Sequence, residues 1–167
     1  MSDQTQLPAK RPALGAAGPY GHPFHPLLVT LPIGAWVCSL IFDIVARAGD
    51  DETVFSRGAY WLIGIGIIGA AVAAAFGLMD LLTIPQRTTA KRTALTHMAL
   101  NVVVLVLFIV SYLLRRSDGG ETADTTPFIL SIIALALLAV SGWLGGKMAY
   151  RYGVRVADER TQAQAYR

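Results

Sequence analysis

The sequence predicts an all-α protein, an integral membrane bundle whose four helices run up, down, up and down. Two observations predict this fold class. The 167 residues are 54% hydrophobic and only 15% charged, whereas a soluble domain carries about 25% charged residues. Four apolar runs each match the ~20 helical residues needed to cross a ~30 Å hydrocarbon core. The runs cover residues 26–46, 58–82, 93–114 and 127–148. The segments between them are short, which makes consecutive helices antiparallel.

Residues 1–20 are polar and then rich in proline, glycine and alanine, which predicts a mobile N-terminal tail. The four-helix domain is expected over residues 21–156. It opens with the stretch GHPFHPLLVTLPIG, in which His22 and His25 each precede a proline. A residue before proline disfavours helical backbone, so we expect the first helix to begin at Pro26 with His25 as its N-cap.

The first two helices carry further packing signals. Pro32 lies inside the first run and cannot donate to the Leu28 carbonyl, which predicts a kink. The second run has small residues at four-residue spacing, and these allow close helix approach in lipid. We therefore expect it to be the central packing helix. The small residues form two stripes, Gly66, Ala70 and Ala74, and Gly69, Ala73 and Gly77.

The fourth run begins after Thr126, which we expect to cap the helix, with Pro127 at the first helical position. Residues 157–167 form a polar C-terminal tail, either an interfacial helix or disordered.

Lysine and arginine predict the orientation of the bundle. The side that holds both termini and the 83–92 loop carries ten of these residues, and the other side carries four: Arg47, Arg57, Arg115 and Arg116. Since basic residues favour the cytoplasmic side, we expect both termini in the cytoplasm.

Most of the unusual polar side chains gather at that same end. Ionisable residues within membrane helices are costly and indicate function by default. In an up-down bundle one layer collects His22, His25, Asp80, His97 and Asn101, together with Met79, Met98 and Met148.

Two hypotheses follow for this layer. A neutral imidazole is a good ligand for haem iron or copper, so His97 and His25, or His22, are candidates to hold a b-type haem. Asp80 or Asn101 would then orient a ring nitrogen. If Met79, Met98 or Met148 joins the histidines, the site would suit Cu(I) instead.

The structural interpretation of the same residues also stays open. His22 and His25 then serve as interfacial caps, and His97 hydrogen-bonds to Asn101 or to a neighbouring helix. Asp80 then pairs with Arg87, Lys91 or Arg92 at the membrane surface. Outside this layer, Asp43 is expected to pair with Arg47, four residues later.

Several function classes are disfavoured. Cys38 is the only cysteine, which removes a disulfide framework and a cysteine zinc site. The sequence has no basic stripe with interleaved aromatic residues, the pattern that would suggest nucleic-acid binding. It also has no nucleophile–base pair of the kind that would suggest a hydrolase, so we expect no independent catalytic activity. The middle of the membrane holds no ionisable group, which disfavours a transporter.

Four segments resemble a known family. They are GHPFHPLLVTLPIG (21–34), GLMDLLTIP (77–85), THMALN (96–101) and SGWLGGKMAYRYGV (141–154). Together they resemble the bacterial predicted membrane proteins of domain of unknown function 2231, over about residues 20–156. The resemblance implies four helices in the bacterial inner membrane. The motif positions that match are His22, His25, Asp80, His97, Asn101 and Gly145.

Some members of that family are joined to a Rieske-type iron–sulfur domain, which implies redox work at the membrane. A single cysteine excludes such a cluster in this chain, because the cluster needs two cysteines and two histidines. We therefore expect a redox-associated module, with a membrane or redox protein as partner besides the lipid bilayer. The alternative is a scaffold or regulatory subunit without a cofactor, with its tails as contact points.

Overall fold

The computed structural model describes residues 7–49 and 51–167, and in these ranges the protein is an all-α membrane bundle without a strand. The predicted fold class is therefore confirmed. Among the described residues, four helices are long and apolar enough to cross a membrane, and we call them the first to fourth spans. They cover Phe24–Ala48, Glu52–Thr83, Thr89–Asp118 and Thr125–Arg151.

The first span is a helix over Phe24–Leu28 followed by a helix over Thr30–Ala48, with a turn at Val29. The break lies one turn before Pro32, whose missing N–H leaves the ladder incomplete there. The predicted start at Pro26 is wrong by two residues. Because the first four N–H groups of a helix need no internal partner, Pro26 fits within the first turn.

The second span, Glu52–Thr83, and the main helix of the third, Thr89–Arg115, extend beyond their apolar runs. Hydropathy marks where lipid lies, whereas a helix continues into polar sequence until a cap or turn stops it. Thr88 supplies such a cap, since its hydroxyl accepts a bond from the Lys91 N–H at 3.1 Å. A 3-10 turn over Arg116–Asp118 closes the third span.

The fourth span is an α-helix over Thr125–Gly146 that passes into a π-helical turn over Lys147–Arg151. Its N-cap is Asp124, so the predicted cap at Thr126 is wrong and Pro127 is the third helical residue. Proline is tolerated there for the reason that holds at Pro26: first-turn N–H groups have no partner inside the helix.

Short elements flank the bundle: a helix over Leu7–Lys10, a 3-10 turn over Gly15–Ala17 and a helix over Glu159–Gln164. Ala9 and Ala17 are buried, so the described part of the predicted tail packs against the bundle. Residues 1–6 lie outside the described ranges, and the mobility of residues 1–20 stays a prediction.

The core centres on Trp36, whose ring stacks on Phe108 with centroids 4.2 Å apart and planes 10° from parallel. Gly66 of the second span lies against the indole, where a Cβ would overlap the ring. Gly69 and Ala73 on the same helix are also buried. The small residues of this span thus allow the first span to pack closely against it.

The bundle consists of two helical hairpins related by a pseudo-two-fold axis. Asp43 contacts Arg115, 72 residues later, and the pairs Trp36–Phe108 and His25–His97 have the same separation and are also in contact. The contacts inside the hairpins repeat as well, since His25 bonds to Ala73 as His97 bonds to Ser141. Two similar hairpins whose equivalent residues face each other are related by a two-fold axis between them. The axis therefore runs along the bundle between the first and third spans.

The sequence retains traces of this repeat. Residues of the first span match those 72 positions later in the third, and residues of the second match those 68 positions later in the fourth. The identical pairs include His25 and His97, Ser39 and Ser111, Leu62 and Leu130, Val72 and Val140, and Gly77 and Gly145.

Candidate functional site

His25 lies in the first turn of the first span and is bound to the second span. Its Nδ1 is 2.8 Å from the Ala73 carbonyl oxygen. A carbonyl only accepts, so Nδ1 carries the proton and donates. One turn further along the second span, a Cβ on Gly77 would come within 2.9 Å of His25 Cε1. The absence of a side chain at Gly77 makes room for the imidazole.

His97 repeats this arrangement in the second hairpin. Its Nδ1 is 2.8 Å from the carbonyl oxygen of Ser141 and 2.9 Å from the Ser141 hydroxyl. Gly145, one turn later, would place a Cβ 3.4 Å from His97 Cε1. Each histidine therefore bonds to a backbone carbonyl of its partner helix, and its ring rests on the glycine that follows the residue of that carbonyl by four positions.

The two imidazoles are in T-shaped contact between the hairpins, with ring centroids 6.4 Å apart and planes at 87°. With a proton on Nδ1, each neutral ring keeps its lone pair on Nε2. Asn101 Nδ2 has two hydrogens, and it donates to the His97 carbonyl at 2.8 Å and to the Ser141 hydroxyl at 2.6 Å. The same nitrogen lies 3.2 Å from His97 Nε2. Asn101 thus fastens the third span to the fourth beside the pair.

His22 lies outside this pair. Its side chain is exposed, and its Nδ1 is 3.4 Å from the Tyr20 carbonyl oxygen. Of His22 and His25, only His25 lies next to His97 in the structure.

Asp80 is buried and forms an ion pair with Arg155, whose Nε is 2.8 Å from Asp80 Oδ1. The expected pairing with Arg87, Lys91 or Arg92 is wrong. Lys91 instead donates to the Leu81 carbonyl at 2.8 Å. Arg155 follows the fourth span, so no local spacing could identify it as the partner.

The methionines are dispersed. Met98 is 40% exposed on the outer surface of the third span. Met148 packs against an apolar cluster of Ala9, Ile84 and Ala94. Met79 is half-buried in the second span.

A second polar layer, which the sequence interpretation did not anticipate, lies at the opposite end. Arg115 donates from both terminal nitrogens to the two carboxylate oxygens of Asp43, each at 2.7 Å, and both side chains are almost fully buried. The expected Asp43–Arg47 pair is wrong, because Arg47 lies over the Phe128 ring at 4.4 Å. The shared spacing of 72 residues is the signal that would have revealed the true pair.

Within the described ranges, no three His, Cys, Asp or Glu side chains come close enough together to hold a metal ion. The site therefore offers at most two protein nitrogens to one ligand, from His25 and His97. That number is too small for the tetrahedral protein shell of a structural zinc site.

Four spans, a duplicated hairpin and paired polar residues between the halves define a polytopic helical membrane protein with a polar layer near each end. Residues 21–158 match the family described as Predicted membrane protein (DUF2231), and the chain belongs to this family. Searches of the curated proteins and of the solved structures find no match to the chain.

Proposed function

We propose that this protein is a membrane redox module that holds a b-type haem through His25 and His97. The observation that carries the proposal is their equivalence. The two imidazoles occupy the same position in the two hairpins and meet at the pseudo-two-fold axis, 6.4 Å between centroids.

The number of ligands also supports haem. A porphyrin would supply four nitrogens, so the protein would need to contribute only the two imidazoles of His25 and His97. Both rings have Nδ1 bonded to a carbonyl, the outer-shell contact that fixes the tautomer of a metal-binding histidine. On His97, Nε2 would exchange its 3.2 Å contact with Asn101 for the ligand, and Asn101 would keep its bonds to the His97 carbonyl and Ser141.

The chain's own residues would then position and insulate the site. Ala73 and Ser141 hold the two imidazoles in one tautomer, and Gly77 and Gly145 let them approach their partner helices. Haem, when bound, supplies reversible one-electron transfer. We further propose that the module exchanges electrons with a membrane or redox protein partner.

The test is an absorption spectrum of the full-length protein, purified in detergent from cells supplied with a haem precursor. We expect a Soret band in the oxidised protein and sharpened visible bands after dithionite. His25→Ala and His97→Ala should each lose the Soret band. His22→Ala is the matched control and should retain it, since the His22 side chain is exposed and its ring lies near the Tyr20 carbonyl rather than in the histidine pair.

Thermal unfolding of each variant separates loss of ligand from loss of fold. A folded protein with no Soret band would overturn the haem proposal, as would a His25→Ala variant with an unchanged spectrum. Elemental analysis of the same sample tests the alternative, Cu(I) held by the histidines. The exposed position of Met98 gives copper less support.

One observation favours a second candidate, a scaffold or regulatory subunit without a cofactor. His25, His97 and Asn101 all have hydrogen-bond partners within the protein, as expected of a layer that only holds the bundle closed. This candidate predicts that His97→Ala lowers stability while no chromophore or metal is present in the wild type. Deletion of residues 157–167 should then abolish capture of a partner.

We also propose that the end with both termini faces the cytoplasm of a bacterial inner membrane. The exposed cations Arg11, Arg87, Arg92 and Arg151 at this end support the proposal, since cytoplasmic loops are enriched in such residues. A reporter that is active only in the cytoplasm, fused after Arg167, should be active. Activity of a periplasm-only reporter at that position would reverse the orientation.

A further inference from the structure

Arg155 joins the segment before the first span to the segment after the fourth span, at the end of the bundle that holds the histidines. Its backbone N–H donates to the Ala9 carbonyl at 2.8 Å, and its Nη2 lies 3.0 Å from the carbonyl oxygens of Ala17 and Gly18. Its Nε forms the ion pair with Asp80. One buried arginine thus ties the N-terminal segment, the C-terminal segment and the second span together.

A second contact joins the same two segments. The Tyr20 hydroxyl donates to Asp158 Oδ2 at 2.9 Å and accepts from the Asp158 N–H at 2.7 Å. We call residues 7–21 and 152–158 together the terminal cap. Its two parts are held by Arg155 on one side and by the Tyr20–Asp158 pair on the other.

The terminal cap attaches next to His25. Asp80 follows Gly77 by three residues in the second span, so the two lie on the same helix face. Gly77 is the residue on which the His25 imidazole rests. The ion pair of Arg155 with Asp80 therefore lies less than one helical turn along the second span from the glycine beneath His25, on the side of the chain termini.

The contacts that hold Arg155 leave its backbone strained and part of its side chain without hydrogen-bond partners. Arg155 has φ 61°, a left-handed conformation that residues other than glycine seldom adopt and that surrounding contacts must maintain. Its Nη1 is buried without a hydrogen-bond partner among the described residues, and the Nε–Asp80 contact lacks hydrogen-bond alignment. Buried polar groups without partners raise the free energy of the closed state, which brings an open state closer to it.

We propose that the terminal cap is a lid over the histidine pair and that the Arg155–Asp80 ion pair is its latch. When the latch opens, the cap separates from the second span, and His25 becomes accessible from the end that holds the termini. The proposal rests on the proposed function for its purpose, namely to control access to a ligand site. The movement of the lid itself requires no ligand.

The experiment measures lid opening in the full-length protein in detergent. Deuterium uptake of residues 9–22 reports release of the cap, and diethyl pyrocarbonate modification of His25, measured by mass spectrometry, reports access. Arg155→Ala should raise both rates by roughly tenfold, the effect of losing a buried charged contact on an opening equilibrium. Asp80→Asn should raise them in the same direction.

Arg151→Ala is the matched control, because Arg151 is an exposed arginine in the same region and its loss should leave both rates unchanged. His22 is already exposed and serves as the internal standard for modification. If Arg155→Ala unfolds the protein, Tyr20→Phe removes only the second contact and should give a smaller increase.

Unchanged uptake and unchanged His25 modification in folded Arg155→Ala, or in Tyr20→Phe where that variant is needed, would overturn the lid. A lid that opens in a protein without a Soret band would leave the lid intact and overturn the haem proposal. A Soret band in a protein whose terminal cap does not open would leave the haem proposal intact and overturn the lid. If haem blocks His25 chemically, deuterium uptake alone decides the result.

Discussion

Asp43 and Arg115 are equivalent residues of the two hairpins, and they carry opposite charges joined by two 2.7 Å hydrogen bonds. Arg115 also lies 3.4 Å from the Ser111 hydroxyl through its Nε. Ser39 occupies the matching position, four residues before Asp43. Each of the two charges thus has a serine four residues before it on its own helix.

This relationship predicts the outcome of a charge exchange. Asp43→Asn leaves Arg115 buried without a counter-charge and should lower the free energy of unfolding by about 3–5 kcal/mol. The double variant Asp43→Arg with Arg115→Asp should regain most of this loss, because Ser39 is available to the new arginine. Unfolding titrated with SDS in mixed micelles measures the free energies of unfolding of the wild type, Asp43→Asn and the double variant.

Arg57→Ala is the control, since Arg57 pairs with Glu121 at the exposed rim and its loss should cost at most about 1 kcal/mol. A double variant no more stable than Asp43→Asn would show that the two environments are not interchangeable.

A second prediction concerns the contact between Gly66 and Trp36. A methyl group on Gly66 would overlap the indole, so Gly66→Ala should destabilise the bundle by about 1–3 kcal/mol through overpacking. Trp36→Phe in the same chain should reduce the penalty by vacating the space. Gly34→Ala should be close to neutral, because the position of its Cβ has nothing within 4 Å. Melting temperatures in one detergent rank the variants, and equal losses at Gly34 and Gly66 would contradict this packing.

The fold class could be predicted from the sequence because lipid imposes a simple length rule on apolar segments. Helix ends could not be predicted as well. The sequence pattern predicts Pro26 and Pro127 as first helical residues, yet a proline fits anywhere in a first turn. At Pro26 the structure adds a tertiary contact, since the side chain of the preceding His25 is bonded to the Ala73 carbonyl of the second span.

The candidate site was only partly predictable. His25, His97 and Asn101 stood out because polar residues in apolar spans are few, and these three do lie together. Arg155 and Ser141 were missed, because each contacts its partner across long stretches of sequence with no periodic signal. The offset of 72 residues would have paired Asp43 with Arg115, and it becomes visible only when the two hairpins are compared directly.

The glycines beneath the two histidines make a third prediction. Gly77→Ala places a methyl group 2.9 Å from His25 Cε1, so the ring must shift and its bond to Ala73 should weaken, at a cost of about 1 kcal/mol. Gly145→Ala should cost less, because its methyl group lies 3.4 Å from His97 Cε1. Gly142→Ala, in open space, is the control. Greater destabilisation at Gly145 than at Gly77 would contradict this ranking.

The last prediction concerns pH and the Tyr20–Asp158 contact. Hydrogen bonds from the Thr161 N–H and from the Tyr20 hydroxyl hold the pKa of Asp158 below its ordinary value of 3.8. A carboxyl whose pKa is lower in the folded state stabilises that state above its unfolded pKa, and the contribution disappears as pH falls through the folded pKa. The contact should therefore persist down to about pH 4 and weaken below it.

The amide proton of Thr161, followed by NMR during an acid titration, measures this directly. Its midpoint should lie below that of the same aspartate in an unstructured peptide of residues 155–167. In Asp158→Asn the step should vanish, and in Tyr20→Phe the midpoint should move toward the peptide value, since one of the donors is gone. A midpoint at or above the peptide value in the intact protein would show that Tyr20 and Thr161 do not stabilise the Asp158 carboxylate.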